Sequence, residues 1–541
     1  MVILSTVIGV CSALQNLCEG RKLHDRVAGC GLESDTVVHN ALVSMYVKCG
    51  CLDDARAVFD TTPTREKDAV SWNVMMAAYS SRGKFQQALE IFNDCLLHSV
   101  QGPDAVSFVT AISACCGLKD VKQARALEEL SCSHGFLETS VAVQNSLINL
   151  YGKCASLSEA RLVFDRIASK TAVSWNSIMA AYGQHGNSSE VLSLFRRMDL
   201  EGIELSKATY VAVVRACTSD QHLDFGKRIQ KRVSEGNHAQ PATALQNSLV
   251  NMYAKCGCLE AAKKSFDEME QDTRSVVSWN AMISAYIQNS RDVEALELYK
   301  QMCQAAEPDS FTFSSVLTAC SNLNALEEGK LVHHQVEATG MELDGVLGTA
   351  LINMHSRCGN LDRARRVFDS MVRINDVRAL RNPICWTAML AAYSHHGCAR
   401  QSLELLFLMS LEGVQPNEIN FTSILNACSH AGLSSQAWTS FLDMHTKYGV
   451  APAAQHLVCL SDMLGRAGML GEAEAFIGTS TYDDTSTEAE FAAVAWKSLL
   501  NACKLQGNAG AGARVAEKLA ELEPEVSAPY ILLAGIYAAQ T

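Results

Sequence analysis

Two kinds of residue recur in this chain at fixed places and carry chemistry suited to a ligand. Asn40, Asn73, Asn145, Asn176, Asn247 and Asn280 stand at one register of a recurring pattern, and Ser5, Ser314, Thr349 and Thr387 stand at the same register. Amides and hydroxyls both donate and accept hydrogen bonds, so such a row can discriminate between polar edges. Lys48, Lys153, Lys255 and Arg357 recur at a second place, where cations could hold phosphates or simply sit solvated at a helix end. The 21 cysteines and 15 histidines offer less. There is no C-x-x-C pair and no C-x-x-C…H-x-x-x-H spacing, and Cys49/Cys51 and Cys256/Cys258 are the nearest approach to a metal pair. No histidine pairs with a cysteine or serine in a way that suggests a nucleophile. The expectation is therefore reduced, buried thiols, with no catalytic residue, no metal, no cofactor and no small-molecule substrate.

The elements that must position these residues are helices. Trp72, Trp175, Trp279 and Trp386 lie at intervals of just over a hundred residues, in the phrases Val70-Ser-Trp-Asn73, Val173-Ser-Trp-Asn176, Val277-Ser-Trp-Asn280 and Ile384-Cys-Trp-Thr387. A second phrase runs from Asn40 to Cys49, Asn145 to Cys154, Asn247 to Cys256 and Thr349 to Cys358, and leads to Val-Phe-Asp at Phe59, Phe164 and Phe368. A third contains Ser113-Ala-Cys115, Arg215-Ala-Cys217, Thr318-Ala-Cys320 and Asn426-Ala-Cys428. Three alternating phrases make a unit of roughly 31 to 38 residues, the period of helical hairpin repeats. Within one unit, Trp279 to Gln288 reads as a first helix, Asn289 to Asp292 as a turn, and Val293 to Gln304 as a second helix. Ala295, Leu298, Tyr299 and Met302 form one apolar face of that second helix. A single hairpin cannot bury such a face, whereas stacked hairpins can. The expected fold is all-α, a right-handed superhelical solenoid whose first helices line a concave surface. Hydrophobic residues at 48% and only nine prolines suit continuous packing. The recurring Trp and Tyr residues belong to the apolar stripe and are expected in the core.

These phrases resemble pentatricopeptide repeats of the plant type that interleaves long, short and standard motifs. The resemblance runs from Met1 to about residue 480 as long, short and standard motifs four times over, then one long and one short. It divides the chain into repeats over 1–453, a last short repeat with an acidic insertion over 454–492, and an incomplete E-type extension over 493–541. The extension is identified through Trp496-Lys-Ser-Leu-Leu-Asn-Ala-Cys503, Gly507-Asn508 and Ala516 to Pro524. The family implies a site-specificity factor for cytidine-to-uridine RNA editing in a mitochondrion or chloroplast. The implied partners are single-stranded organellar RNA and, in trans, a deaminase-domain protein or a small organellar editing cofactor. The H-x-E and C-x-x-C elements of a zinc deaminase are absent from the sequence, which ends partway through the second E-type motif and begins without an Arg- and Ser-rich leader; a fragment of a longer protein is expected.

The resemblance assigns one base to each repeat, read by its fifth and last residues. Uracil and guanine present a ring N–H, which aspartate can accept. Adenine and cytosine present a ring nitrogen, to which asparagine or serine can donate. A hydroxyl at the fifth place leaves room for a purine, while asparagine favours a pyrimidine. Asn40/Asp68, Asn73/Asp104 and Asn280/Asp309 are thus expected to take uracil, Asn176/Ser206 and Asn247/Ser275 cytosine, and Asn145/Thr171 a pyrimidine. Thr349/Asn382 and Thr387/Asn417 are expected to take adenine, and Ser5/Asp35 and Ser314/Asp344 guanine, whereas Val109 and Val211 cannot hydrogen-bond. Read from the N-terminus at the 5′ end, the target is G-U-U-n-Y-C-n-C-U-G-A-A. The competing role for each fifth residue is that of a helix N-terminal cap.

A net charge of −13 argues against a nucleic-acid binder, which ordinarily carries a basic face. Much of it lies in a C-terminal tail that includes Asp483, Asp484, Glu488 and Glu490, so lysines along a groove remain compatible with acidic outer helices. The rival classes are a protein-interaction scaffold of tetratricopeptide type and an RNA stabilisation or processing factor without editing. A scaffold leaves the ordered polar pairs unexplained. No apolar run reaches the roughly 20 residues needed to cross a bilayer, so no membrane partner is expected.

Overall fold

The computed structural model describes residues 2–31, 35–63, 67–100, 102–219, 222–235, 243–373, 383–479, 486–522, 531 and 533–535. Among these residues every regular element is a helix. Most repeats are one hairpin, such as Ala69–Ser81 followed by Phe85–His98. Gly83 makes the turn between them at φ 71, a left-handed conformation that costs glycine nothing. The second helix buries Ala88, Ile91, Phe92 and Cys95, an i, i+3, i+4, i+7 stripe. The hairpin read from sequence is present as Val276–Gln288 and Asp292–Ala305.

The chain forms two compact units, Met1–Glu270 and Gln271–Thr541. Within each unit a first helix packs on the first helix of the next repeat: Thr36–Lys48 sits between Val2–Ala13 and Ala69–Ser81, and Gly345–Arg357 sits between Ser310–Asn322 and Pro383–His395. A second helix packs on its own first helix and on the next one, while second helices hardly approach one another. First helices are thus the tightly stacked layer and second helices the splayed one, which is the solenoid arrangement. Long side chains bridge the splayed layer, as in Arg21–Asp54 and Arg125–Glu159, each at 2.8 Å. One helix, Ser486–Leu505, runs across the 492/493 boundary expected from sequence; its first half is rich in Ala and Glu and has no helix breaker.

The four recurring tryptophans, Trp72, Trp175, Trp279 and Trp386, are core residues. Trp72 and Trp175 are 1% and 0% exposed, and each takes the ring of a preceding Val-Phe-Asp phrase edge-on: Phe59–Trp72 at 5.2 Å and Phe164–Trp175 at 4.9 Å between centroids. Phe368–Trp386 repeats the contact at 4.9 Å. The two phrases that revealed the period therefore meet in space.

A second recurring contact joins long and short motifs. Tyr46 bonds His24 at 2.9 Å, Tyr151 bonds Glu128 and Tyr253 bonds Gln230, but in the fourth copy His333 Nδ1 meets His355 Nε2 at 2.9 Å. Burial pushes both histidines below their ordinary value, His355 to about 4; Arg363 adds to this for both, Lys330 adds for His355 and His334 adds for His333, while Glu337 opposes for both. A base whose folded pKa is depressed stabilises the fold fully above its unfolded pKa. That stabilisation is lost as pH falls from about 6.5 towards about 4. His355→Tyr should fit, because His24–Tyr46 already shows that pairing. Thermal melts of the full chain at pH 7 and pH 4.5 are expected to show a smaller acid loss in this variant than in the parent. Equal losses would remove the histidine pair as their source.

Candidate nucleic-acid interface

The last residue of a motif is the N-cap of the next first helix. Asp68 accepts the Ser71 amide at 2.8 Å, Asp104 that of Ser107 at 2.7 Å, and Asp309 that of Thr312 at 2.8 Å. Asp35, Thr171, Ser206, Asp344 and Asn417 cap in the same way; Ser275 holds the N-cap place with its hydroxyl turned to Ser278 Oγ at 3.2 Å. The cap role weighed for the fifth residues is corrected accordingly. Asn40, Asn73, Asn145, Asn176, Asn280 and their counterparts lie about a turn inside their helices, because each motif begins at the first helical residue and leaves the cap to its predecessor.

Four expected pairs are joined side chain to side chain. Asn40 Nδ2 donates to Asp68 at 3.1 Å, Asn73 to Asp104 at 3.1 Å, Asn176 to Ser206 at 3.1 Å and Asn280 to Asp309 at 3.0 Å. Thr387 and Asn417 meet indirectly: Asn420 donates to Thr387 at 2.9 Å, and its amide is capped by Asn417 at 3.0 Å. Other members turn elsewhere or lie apart. Ser314 turns its hydroxyl back to Ser310 O at 2.9 Å, and Thr349 to Gly345 O at 2.6 Å. Thr171 bonds Ser174 at 3.2 Å, and the Asn145 side-chain oxygen is buried without a partner. Ser5 lies in the helix Val2–Ala13, Asn247 and Ser275 belong to different units, and Asn382 lies outside the described residues.

Where the second member is aspartate, the site is anionic and has acceptor capacity to spare. Oδ1 of Asp104 takes the bonds from Asn73, the Ser107 amide and the Ser107 hydroxyl, and Oδ1 of Asp309 takes the equivalent three; among the described residues nothing bonds either Oδ2. Partial burial raises these carboxyls, but the hydrogen bonds outweigh it, so Asp68, Asp104 and Asp309 all stay below the ordinary carboxylate value. Each is a standing acceptor for a ring N–H.

Two features escaped the sequence reading. The third helical residue, Ser71, Ser107, Thr209, Thr312 or Asn420, is buried and bonded to one or both pair members, and the D/S/N-x-x-S/T/N spacing of a capping box was its signal. The second helical residue is apolar yet exposed: Val70 by 55%, Val173 by 60%, Val277 by 63% and Ile384 by 53%. It lies three residues before the fifth position, on the same helical face.

Lys48, Lys153, Lys255 and Arg357 end their first helices and are exposed. Among the described residues none of them is ion-paired, whereas nearly every ion pair, such as Arg232–Asp199 and Arg514–Glu474, involves second helices. None of the 21 cysteines is in a disulfide; burial pushes Cys115 and Cys320 up to about 12, and no metal-holding cluster occurs among the described residues.

The sequence matches the PPR repeat family over residues 67–117, 170–219 and 274–322, and the PPR repeat over 37–61, 145–170, 247–273, 349–375 and 384–414. Pentatricopeptide repeat-containing protein At5g27110 of Arabidopsis thaliana is 34% identical across 98% of this chain and 74% of its own length. The Arabidopsis thaliana protein At1g06140, named as mitochondrial, is 32% identical across 98% of this chain and 93% of its own. Among solved structures, the maize pentatricopeptide repeat protein PPR10 aligns with a TM-score of 0.59 at 17% identity, covering 99% of this chain and 80% of that one. PPR10 in complex with an 18-nt psaJ RNA element aligns with a TM-score of 0.61 at 15% identity, covering 99% and 81%. With hairpins, phrases and close relatives in agreement, this chain belongs to the pentatricopeptide repeat family.

Proposed function

We propose that this protein binds single-stranded RNA sequence-specifically, one base per repeat, in the order G-U-U-n-Y-C-n-C-U-G-A-A. The observation that carries this reading is the recurrence of hydrogen-bonded pairs on stacked first helices, Asn40–Asp68, Asn73–Asp104 and Asn176–Ser206 in one unit and Asn280–Asp309 in the other. Each pair offers a base edge an amide and a second group whose donor or acceptor character varies with position. The exposed residue at the second helical position would flank the base plane, and Lys48, Lys153, Lys255 and Arg357 would hold phosphates. The likeness to a protein solved with bound RNA supports the reading. Relatives named mitochondrial or chloroplastic support an organellar site of action. Within an organelle, the role would be to mark a cytidine for editing by a deaminase-domain protein recruited in trans, with small editing cofactors on the long motifs.

The lysines give a test that does not depend on base identity. Titrating labelled target RNA at several salt concentrations should give a log K against log salt slope that falls by about 0.7 for each phosphate contact removed, as in Lys48→Ala with Lys153→Ala. An unchanged slope would assign both to solvated helix ends.

A further inference from the structure

The two-residue pairs are held differently in different repeats, and the difference lies in a third side chain. At Asn280, the hydroxyl of Thr312 on the following first helix lies 2.7 Å from Asn280 Oδ1 and 2.8 Å from Asp309 Oδ1, so its one proton is shared between them, while Asn280 Nδ2 reaches Asp309 at 3.0 Å. At Asn176 the three groups close a ring: Asn176 Nδ2 donates to Ser206 at 3.1 Å, Ser206 and Thr209 share a hydroxyl contact at 2.9 Å, and Thr209 donates to Asn176 Oδ1 at 2.8 Å. Ser71 Oγ likewise lies 2.7 Å from both Asn40 Oδ1 and Asp68 Oδ1. Thr209 and Thr312 are fully buried and Ser71 nearly so. At Asn73, by contrast, Ser107 bonds only Asp104, and the Asn73 side-chain oxygen is buried with no partner.

An asparagine amide looks nearly the same after a half-turn, but its donor and acceptor change places. Beside an aspartate the carboxylate already excludes the turned amide, and a hydroxyl on Oδ1 ties down the other end too, so the second amide hydrogen is held more tightly in direction; beside Ser206 both neighbours of Asn176 are hydroxyls, and that ring of bonds can run either way. We propose that the third residue of the following first helix is a positioning residue for base selection, and that Asn40 and Asn280 discriminate more strictly than Asn73 although all three pair with aspartate. This rests on the base-reading proposal above.

The test uses the full chain with RNAs that differ only in uracil or cytosine at the ninth base, which faces Asn280 and Asp309. Thr312→Val keeps the shape and removes the hydroxyl. It should lower the uracil-over-cytosine affinity ratio about fivefold, the worth of one neutral hydrogen bond. Thr312→Ser should restore the ratio, and preferences at the other bases should stay as they were. A merely structural role would weaken both RNAs equally and leave the ratio intact, and that result would overturn the inference. If Thr312→Val fails to fold, Ser71→Ala at the second base, which faces Asn40 and Asp68, decides on the same criterion. Asp309→Ser is the control for the underlying reading: if it also leaves the preference unmoved, base reading itself falls and this inference with it.

Discussion

Asp309→Ser is expected to reverse the ninth base from uracil to cytosine, by a factor of about ten or more in relative affinity, since a hydrogen bond to a charged group contributes roughly 1.5–3 kcal/mol. The carboxylate can only accept, so it matches the uracil N3–H. A serine hydroxyl can donate to the bare N3 of cytosine. The fold should tolerate the change. Ser206 already occupies this place after Asn176, capping the Thr209 amide at 3.2 Å and accepting from Asn176 at 3.1 Å. Serine and aspartate are about equally good N-caps, so helix stability should hardly move. Competition binding with two RNAs that differ at one base reads the outcome, and retention of the uracil preference would refute the assignment of Asp309.

Trp175→Ala is expected to have the largest effect on stability, about 3–5 kcal/mol, through a cavity where the indole packs on Phe164 at 4.9 Å beneath the Arg197 guanidinium at 5.5 Å. In a stacked array the loss stays close to the altered repeat. Hydrogen exchange should therefore quicken in Leu157–Arg166 and Ala172–Gln184 before it does in distant repeats. Trp175→Phe should cost much less, because the indole Nε1 is buried without a partner and its loss removes an unsatisfied donor. Unchanged exchange in the alanine variant would contradict the core assignment.

Most of the fold was legible because its signals are local and repeated. The Val-Ser-Trp-Asn and Val-Phe-Asp phrases fix the hairpin period, and their rings turn out to be packing partners. The fifth and last positions were legible as a register but not as geometry. Which residue caps the helix depends on where the first helical turn begins, and Asp68 and Asp104 lie just outside that start. Nor does the sequence distinguish Asn280, held at both ends, from Asn73, held at one, since both are followed by aspartate and then by a hydroxyl three residues on. That distinction comes from the reach of one side chain between two helices. The exposed valines at the second position share their type with core residues, and only the helical face separates Val70 from its buried neighbours. Net charge says nothing of its placement: the value of −13 is compatible with ion-paired acids that sit mainly on second helices while Lys48, Lys153 and Lys255 are unpaired among the described residues of the first.

The most direct measurement is a titration of the full chain with fluorescent RNA carrying G-U-U-n-Y-C-n-C-U-G-A-A against an RNA of the same composition in scrambled order, at one fixed salt concentration. Selective binding to the ordered RNA, reduced by Asn280→Ala, is the predicted result. Equal affinity for both RNAs, or no binding to either, would contradict base-by-base reading.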